Sequence, residues 1–358
     1  MSQVFFIAEA GVNHNGDRDL ALRLIDIAVD AKADAVKFQT FHADSLVTAA
    51  APKADYQSRT TDPAESQFKM LEKLELSKEE HQDLFDYCQD RDIEFMSTPF
   101  DLPGLVFLTH DLGVNRLKLS SGSVTHGPLL LAAARSKKPI ILSTGMATLE
   151  EVSDALDLLA YGYTQSTTPD STSQFHCYRH QPECANILSK NVTLLHCTSD
   201  YPASYADVNL RAMATLSEKF GLRVGYSDHT VGNAVSSAAA ALGATVIEKH
   251  FTIDRRHPGP DHAASLEPEE LKALVVAIRQ TEQALGSPEK MPTDTELRTA
   301  EVARTSVVAA CDIAAGTQFS TETLAVKRPG TGVSPMKYWD LEGAFSDRDY
   351  QTDEMIKN

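Results

Sequence analysis

Side chains able to bind anions, exchange protons or hold a metal ion recur at the ends of eight short apolar segments. In chain order these ends carry Glu9 with Asn13 and His14, Lys37 with Gln39, Ser97 with Thr98, Lys118 with Ser121, Ser143 with Thr144, His196 with Thr198 and Ser199, Ser227 with Asp228 and His229, and Glu248 with Lys249 and His250. Each residue taken alone could be a helix cap or a loop residue. Eight segments that end in this way predict one shared polar site.

The lysines indicate that this site binds an anion. Lys37, Lys118 and Lys249 could surround a phosphorylated ligand. Neutral hydrogen-bond donors would be added by Ser121, Ser143 and Ser227. A solvated charge at the rim is the alternative role for each lysine. An imine-forming lysine is a further hypothesis, because desolvation near other cations lowers the pKa of an amine.

Two histidines could hold a divalent metal ion. His229 and His250 end the seventh and eighth apolar segments, so their imidazoles could converge on one ion and leave positions for water and a substrate carbonyl. Hydrogen bonding within the rim is the alternative role for both. Alternate residues of a strand share a face, so His250 points the same way as Glu248.

These side chains need a scaffold that brings eight strand ends together. The apolar segments alternate with helical patterns, which is typical of βαβ units. We predict strands at Val4–Gly11, Asp34–Thr40, Ile93–Phe100, Arg116–Ser121, Pro139–Gly145, Val192–Ser199, Arg223–His229 and Thr245–Thr252. We predict helices at Leu20–Ala33, Lys78–Arg91, Leu149–Ala160, Asn209–Phe220, Ala234–Leu242 and Glu269–Leu285. Eight strand-helix pairs favour an α/β fold of the (β/α)8 TIM barrel type, with its site at the carboxyl ends of the strands.

A second, smaller domain is predicted after the barrel. We place the barrel at residues 1–285, a linker with two prolines at 286–298 and a β-rich domain at 299–358. A segment this short has little core of its own, so we expect it to pack on a barrel, its own or that of a partner subunit.

Residues 161–190 interrupt the strand-helix rhythm. The stretch is rich in Ser, Thr, Gln and Pro and has no clean hydrophobic period, so we interpret it as a surface excursion. It contains His176, Cys177, His180 and Cys184, which could bind zinc, but their spacing matches no standard zinc finger.

Composition excludes several classes of protein. The chain has 358 residues, with 33 Lys and Arg against 50 Asp and Glu, and its net charge of -17 disfavours nucleic acid and anionic membranes as partners. It has no apolar run of about 18 residues, and the basic region of a signal peptide is missing from its N-terminus. Five scattered cysteines agree with a reducing compartment. We therefore expect a cytoplasmic protein.

An ordered series of motifs resembles a known family. The motifs are Ala8-Glu9-Ala10-Gly11-Val12-Asn13-His14-Asn15-Gly16, Val36-Lys37-Phe38-Gln39-Thr40, Ser97-Thr98-Pro99-Phe100, Leu142-Ser143-Thr144-Gly145-Met146, Leu195-His196-Cys197-Thr198, Ser227-Asp228-His229-Thr230, Glu248-Lys249-His250-Phe251-Thr252 and Gly259-Pro260-Asp261-His262. Together they closely resemble the bacterial N-acetylneuraminate (sialic acid) synthases. The run Val326-Lys327-Arg328-Pro329-Gly330 resembles the signature of the antifreeze-protein-like (SAF) domain.

The resemblance implies a condensation of phosphoenolpyruvate with open-chain N-acetylmannosamine that releases phosphate. It implies that His229 and His250 hold a divalent metal ion, with Mn2+ preferred and Mg2+ or Co2+ as alternatives, which polarises the sugar aldehyde. Phosphoenolpyruvate would be bound by Lys37, Lys118, Ser121, Ser143 and Ser227. The sugar site would be lined by Glu9, Gln39, Tyr201 and Asp261, and we add Thr98 and Ser199 to the substrate-binding residues.

Three residues are expected to take part in the chemistry, and one is expected to act between subunits. Glu9 and Asp261 are candidates for proton transfer, and Lys118 would hold the charge of the leaving phosphate. In the family the extra domain crosses to the partner subunit. By resemblance, Arg328 would close the partner's sugar pocket in a domain-swapped homodimer.

One residue departs from the family pattern and leaves the acceptor open. After the stretch from Lys118 to Gly122 the family usually carries glutamate, whereas this chain has Ser123. A legionaminic acid-type synthase that uses a 2,4-diacetamido-trideoxyhexose is therefore an alternative. Two further hypotheses are a Schiff-base aldolase or lyase that uses Lys118 or Lys249, and an inactive carbohydrate-binding relative.

Overall fold

The first part of the chain is an eight-stranded parallel barrel of the TIM type. The computed structural model describes residues 3–62 and 64–357. The barrel strands are β1 (Phe5–Gly11), β2 (Ala35–Thr40), β3 (Glu94–Pro99), β4 (Leu117–Leu119), β5 (Ile140–Ser143), β6 (Val192–Cys197), β7 (Arg223–Asp228) and β8 (Val246–His250). They pair in the order β3-β2-β1-β8-β7-β6-β5-β4. The pairing of β1 with β8 joins the first strand to the last, which an open doubly wound sheet does not do, and the predicted fold class is confirmed.

Helices follow the strands along the chain. They are α1 (Arg18–Asp30), α2 (Ala43–Leu46), α3 (Asp55–Thr60), α4 (Gln67–Glu72), α5 (Lys78–Asp90), α6 (Leu102–Val106), α7 (Gly127–Arg135), α8 (Leu149–Thr164), α9 (Pro182–Asn191), α10 (Ala212–Phe220), α11 (Ala234–Ala241) and α12 (Pro268–Leu285), and a π-helix at Phe107–Asp111 continues α6. Local sequence sets several of their starts: Ser77 with Glu80, and Thr148 with Glu151, form capping boxes. Within residues 3–62 and 64–357, none of the helices has both the length and the apolarity that a membrane span needs.

An apolar layer fills the barrel below the strand ends. It is a cluster of Ile7, Ala35, Met96, Ile141, Leu195 and Val246. On five of these six strands the residue two positions later is polar: Glu9, Lys37, Thr98, Ser143 and Glu248. Because alternate strand residues share a face, the polar ring lies directly above the apolar layer. On β7, Gly225 leaves room for this layer because it has no side chain. A Cβ at this position would lie 2.2 Å from the carbonyl oxygen of Val246.

The segment 161–190 is more ordered than predicted. Helix α8 continues to Thr164, past the expected end at Ala160, because Tyr161 and Tyr163 are buried against the barrel core. Gly162 permits this packing, since a Cβ there would lie 2.7 Å from the Cβ of Ala134 on α7. Residues 182–191 form α9, so the predicted surface excursion holds only for residues 165–181, which are exposed or partly exposed, and is wrong for the helical parts on either side.

The zinc hypothesis for this segment gains no support. Among the residues that the structure describes, the only potential metal-ligand group of three or more is Asp154, Asp157 and His176, which contains just one of the four candidates. Asp157 is already engaged, since its carboxylate pairs with Arg179 at 2.6 Å and accepts the Cys177 N–H at 2.9 Å.

The second compact unit begins at Ser287. It contains α13 (Asp294–Ala303), the antiparallel strands β9 (Ser306–Ala309) and β10 (Leu324–Lys327), and α14 (Tyr338–Leu341). The predicted linker 286–298 thus includes the first turns of α13, which Thr293 and Glu296 cap. A small core holds the unit together and consists of Val307, Ala309, Ile313, Phe319, Leu324, Tyr350 and Ile356.

Candidate functional site

A cavity of about 430 Å³ opens above the apolar layer at the carboxyl ends of the strands. Thirteen predicted site residues line it: Glu9, Lys37, Gln39, Thr98, Lys118, Ser121, Ser143, Ser199, Tyr201, Ser227, His229, His250 and Asp261. The remaining candidate, Arg328, directly follows β10 in the second unit. The barrel therefore brings together side chains from all eight strand ends.

Two lysines and two glutamates form a buried network in the floor of this cavity. Lys37 Nζ lies 2.8 Å from Glu9 Oε2 and 3.6 Å from Glu248 Oε2, and Lys118 Nζ lies 3.4 Å from Glu248 Oε1. All four side chains are at most 4% exposed. Buried charges of this kind are tolerated only when they are paired. Glu248 is the one member that contacts both lysines.

Burial and neighbouring charges shift the pKa values of the ionisable side chains in the cavity in different directions. It raises the pKa of Glu9 to about 7, against the opposing charge of Lys37. It also raises the pKa of Asp261 to about 6 and lowers the pKa of Lys118. For Glu248, burial alone would raise the pKa, but the charges of Lys118 and Lys37 together hold it below its usual value. The site thus holds one firmly ionised carboxylate and two carboxyl groups able to exchange protons near neutral pH.

His229 and His250 present nitrogen atoms suited to a metal ion. His229 Nδ1 donates to the Thr198 carbonyl oxygen at 2.6 Å, so the lone pair of this ring is on Nε2, which lies 3.3 Å from Ser227 Oγ. His250 Nδ1 is buried without a hydrogen-bond partner, and Asp261 Oδ2 lies 3.9 Å from it. The two ring centroids are 5.6 Å apart. Burial lowers the pKa of both imidazoles, so both are neutral at neutral pH, and the pair fits a divalent ion.

Uncharged donors cluster around Gly145 at the cavity wall. The Gly145 N–H donates to Ser121 Oγ at 3.0 Å and to Cys197 Sγ at 3.2 Å. A Cβ at this glycine would lie 2.5 Å from Ser199 Oγ, so a larger residue would fill the space. Ser143 Oγ is buried and has no hydrogen-bond partner. These donors beside the buried lysines suit a phosphate or carboxylate group.

Lys249 does not reach the cavity, and its predicted place beside the other two lysines is wrong. Its Nζ lies 3.0 Å from Asp228 Oδ2 and donates to the Thr230 carbonyl oxygen at 2.5 Å. Its neighbours on β8 face the barrel interior, so the strand alternation turns Lys249 outward. This placement also removes Lys249 as a candidate for imine formation with a ligand in the cavity.

Other strand-end residues lie outside the cavity lining. They are Asn13, His14, Ser97, Thr144, His196, Thr198 and Asp228. Ser123, the departure from the family pattern, is also outside. It is 4% exposed, and its Oγ lies 3.0 Å from the Oγ of Ser120, which does line the cavity.

Sequence reasoning missed two features of the site. From the sequence, Glu248 is predicted only to share an inward face with His250, whereas in the structure it contacts both lysines. The second feature is an apolar end of the cavity, provided by the segment 41–76 between β2 and β3. We call its large apolar cavity-lining residues the apolar wall: Phe41, Leu46, Val47, Met70, Leu71 and Leu74. Ala54, Gln57 and Gln67 of the same segment also line the cavity. These residues have no strand or long-helix period, so their shared location could not be read from spacing.

Two family models match the chain. Residues 24–290 match the NeuB family, and residues 304–358 match the SAF domain, which confirms the predicted C-terminal domain. The first match covers most of the barrel.

Similar proteins have been named in several organisms. The N,N'-diacetyllegionaminic acid synthase of Legionella pneumophila is 48% identical over 95% of this chain and 89% of its own length. The enzyme of the same name from Campylobacter jejuni is 45% identical over the whole of both chains. The structure is similar to that of an N-acetylneuraminic acid (sialic acid) synthetase from Leptospira borgpetersenii, with a TM-score of 0.67 and 35% identity over 84% of this chain and 91% of the other.

Proposed function

Because the chain belongs to the NeuB family, we propose that it joins phosphoenolpyruvate to an amino-sugar aldehyde and releases inorganic phosphate. The acceptor we propose is a 2,4-diacetamido-2,4,6-trideoxyhexose, which gives a legionaminic acid-type nine-carbon 2-keto acid. Two relatives at 48% and 45% identity are named for N,N'-diacetyllegionaminic acid, and they favour this acceptor over the N-acetylmannosamine that the sequence motifs suggest first.

The observation that carries the proposal is the pair of buried lysines in a cavity that also contains neutral imidazoles. Phosphoenolpyruvate brings a phosphate and a carboxylate, and the chain as a whole is acidic. Lys37 and Lys118, with the hydroxyls of Ser121, Ser143 and Ser227, concentrate donors where such an anion can be bound. The same cations hold the charge of phosphate as it leaves.

The reaction requires one new carbon-carbon bond and the addition of water. C3 of phosphoenolpyruvate bonds to the aldehyde carbon, and the aldehyde oxygen takes up a proton to become a hydroxyl group. Water adds to C2 and loses its protons, and the bond from C2 to the phosphate oxygen breaks to leave a 2-keto acid. Glu9 and Asp261 are the groups we assign to these proton transfers, because their pKa values of about 7 and about 6 lie near neutral pH.

We assign the metal to His229 and His250, with Mn2+ as the first choice and Mg2+ or Co2+ as alternatives. Such an ion, when bound, supplies Lewis-acid polarisation of a carbonyl oxygen. Thr198 orients His229 through the hydrogen bond to Nδ1. We place the reaction in the cytoplasm, since all five cysteines are free thiols.

We also propose a homodimer in which Arg328 acts in the sugar pocket of the partner subunit. Mixing an Arg328→Ala chain with a His250→Ala chain tests this arrangement, because only a shared site lets one intact site form. Partial recovery of activity is expected. Verified mixed dimers without any activity would contradict the proposal.

Phosphate release from phosphoenolpyruvate tests the proposed reaction. The trideoxy acceptor and N-acetylmannosamine should be compared, each with Mn2+ and with EDTA. Metal-dependent release with the trideoxy acceptor is expected, whereas release only with N-acetylmannosamine would move the assignment to a sialic acid synthase. If the activity survives EDTA and borohydride traps a covalent adduct of the substrate with the protein, a Schiff-base enzyme that uses Lys118 would be supported. Sugar binding without phosphate release would indicate an inactive relative.

A further inference from the structure

A buried ion pair lies on the outer side of the two strands that lead to the candidate metal site. Lys249 Nζ is 3.0 Å from Asp228 Oδ2, and the two side chains are 1% and 0% exposed. The parallel register pairs these two residues across β7 and β8. Each is followed directly by a histidine, His229 or His250, whose side chain faces the cavity. The ion pair therefore joins the two strands one residue before the histidines.

The Asp228 carboxylate fixes the backbone on either side of His229. Its Oδ1 accepts the Thr230 N–H at 2.9 Å and the Thr230 hydroxyl at 2.8 Å. A carboxylate bonded to the N–H two residues later closes an Asx turn, here with His229 at its centre. Asp228 Oδ2 accepts a hydrogen bond from Ser236 of α11 at 2.5 Å. The turn that carries His229 is therefore anchored to a helix behind the strands.

Lys249 extends this network to the second histidine. Its Nζ also donates to the Thr230 carbonyl oxygen at 2.5 Å, so the lysine bonds to the turn at two points. On β8, Lys249 lies between Glu248 and His250. The bonds that fix its side chain on the outer face therefore also restrict the backbone of its two inward-facing neighbours. The network thus links the backbone beside one histidine to the backbone beside the other.

Stability alone does not account for a charged network in this place. Removing two charges from water is costly, and apolar residues of similar volume often replace a buried ion pair without loss of stability. Hydrogen bonds between charged groups are short and directional, whereas apolar contacts are not. A metal site needs this precision, because its ligands must stay within about 0.5 Å of their productive positions. Loss of a group that orients metal ligands typically lowers metal affinity by about 10- to 100-fold.

We propose that the ion pair of Lys249 with Asp228 is a positioning clamp, which sets the distance between the two histidines and thereby the affinity of their metal site. This inference rests on the metal assignment of the proposed function. The imidazole centroids of His229 and His250 lie 5.6 Å apart. Thr198 fixes the rotation of the His229 ring, whereas the clamp fixes the backbone from which both rings extend. Lys249 and Asp228 act only through the histidines, since neither lines the cavity.

Titration of the ligand-free protein with Mn2+ alone, followed by the EPR signal of the free ion, tests the clamp. The double variant with Asp228→Asn and Lys249→Met leaves neither charge of the pair, and Asn can still accept the hydrogen bonds from Thr230. Its Tm should exceed that of Lys249→Met alone, which leaves the Asp228 carboxylate without its counter-charge. Its Kd for Mn2+ should still rise by about 10- to 100-fold over the wild-type value. A purely structural ion pair would recover Tm and Mn2+ binding together.

A milder variant and a matched control accompany the double variant. Thr230→Val keeps the shape of the side chain and removes the hydroxyl bond to Asp228, so it should fold and raise the Kd by about three- to tenfold. The control combines Arg116→Met with Glu94→Gln. In the wild-type protein this ion pair, 2.8 Å between Arg116 Nε and Glu94 Oε1, lies at the amino-terminal ends of β4 and β3. Its loss should leave the Kd for Mn2+ unchanged, because distant sites do not couple.

The possible results separate the clamp from the proposed function. A wild-type Kd for Mn2+ in the folded double variant or in Thr230→Val would overturn the clamp and leave the metal assignment standing. An equal rise of the Kd in the control would also overturn the clamp, because the effect would then follow from a general loosening of the barrel. A wild-type protein that binds no Mn2+ would instead reject the metal assignment, and the clamp with it.

Discussion

Replacing Glu248 with Gln should destabilise the ligand-free protein and strengthen its response to anions. The Glu248 carboxylate oxygens lie 3.4 Å from Lys118 Nζ and 3.6 Å from Lys37 Nζ. Each attraction amounts to about 5 kcal/mol at an effective dielectric constant of about 20. Gln can still accept the hydrogen bond that Ser227 Oγ donates at 2.8 Å, so the change removes mainly charge. Leaving buried partners uncompensated costs roughly 3–5 kcal/mol in the free energy of unfolding.

Thermal unfolding with and without phosphoenolpyruvate measures both effects. At about 2.1 cal/mol/K per residue, the 286-residue barrel unit unfolds with an entropy of roughly 0.6 kcal/mol/K, so Tm should fall by about 5–8 °C. Phosphoenolpyruvate supplies the missing negative charge without repulsion from Glu248, so it should raise the Tm of the variant more than that of the wild type. Glu218→Gln, an exposed change on α10, should stay within about 0.5 kcal/mol. An unchanged Tm for Glu248→Gln, or an equal response to phosphoenolpyruvate, would refute the charge-balance reasoning.

Three further changes address other parts of the barrel. Gly145→Ala places a Cβ 2.5 Å from Ser199 Oγ. In steady-state kinetics it should raise the KM for phosphoenolpyruvate about tenfold or more. An unchanged KM would contradict the role of the space beside Gly145 in anion binding. The wild-type protein should retain Mn2+ through gel filtration, whereas the variants His229→Gln and His250→Gln should each lose it. Elemental analysis of the eluted protein measures the bound Mn2+. Retention of the ion by the variants would count against this metal site. Burial lowers the pKa of His14 to about 3, whereas an unfolded histidine titrates near about 6.5, so the unfolded chain takes up the proton first. Stability should therefore fall as the pH drops from about 6.5 toward about 3, by up to about 1.4 kcal/mol per pH unit from this residue, and His14→Gln should flatten the urea-unfolding profile over that range.

The barrel and the polar part of its site were predictable because both follow from local periodicity. A strand that places Ile7 or Val246 in the apolar layer must place Glu9 or Glu248 in the ring above it. The same alternation, applied strictly, would have turned Lys249 away from the anion site. That error came from grouping lysines by their closeness to strand ends without assigning each one to a face.

The apolar wall could not be predicted in this way, because its members meet only after the chain folds. Phe41 and Met70 are far apart in sequence and come from irregular segments and short helices, for which no hydrophobic period exists. Helix α8 illustrates a second limit. Its extension to Thr164 depends on Gly162 packing against Ala134, a tertiary contact that leaves no local signal.

The position of the polar ring directly above the apolar layer explains how an acidic chain can keep buried cations available to bind an anion. The apolar layer excludes water from below, which strengthens every charge interaction in the ring above it. An unpaired ammonium group would be costly there, so Lys37 and Lys118 need a permanent counter-charge, and Glu248 supplies it because those two lysines keep it ionised. Glu9 contacts only Lys37 of the two lysines and has a pKa of about 7, so its charge can change when a ligand arrives. An anion that neutralises Lys37 weakens the attraction that keeps Glu9 ionised, and Glu9 then holds a proton within the cavity where the proposed aldehyde must receive one.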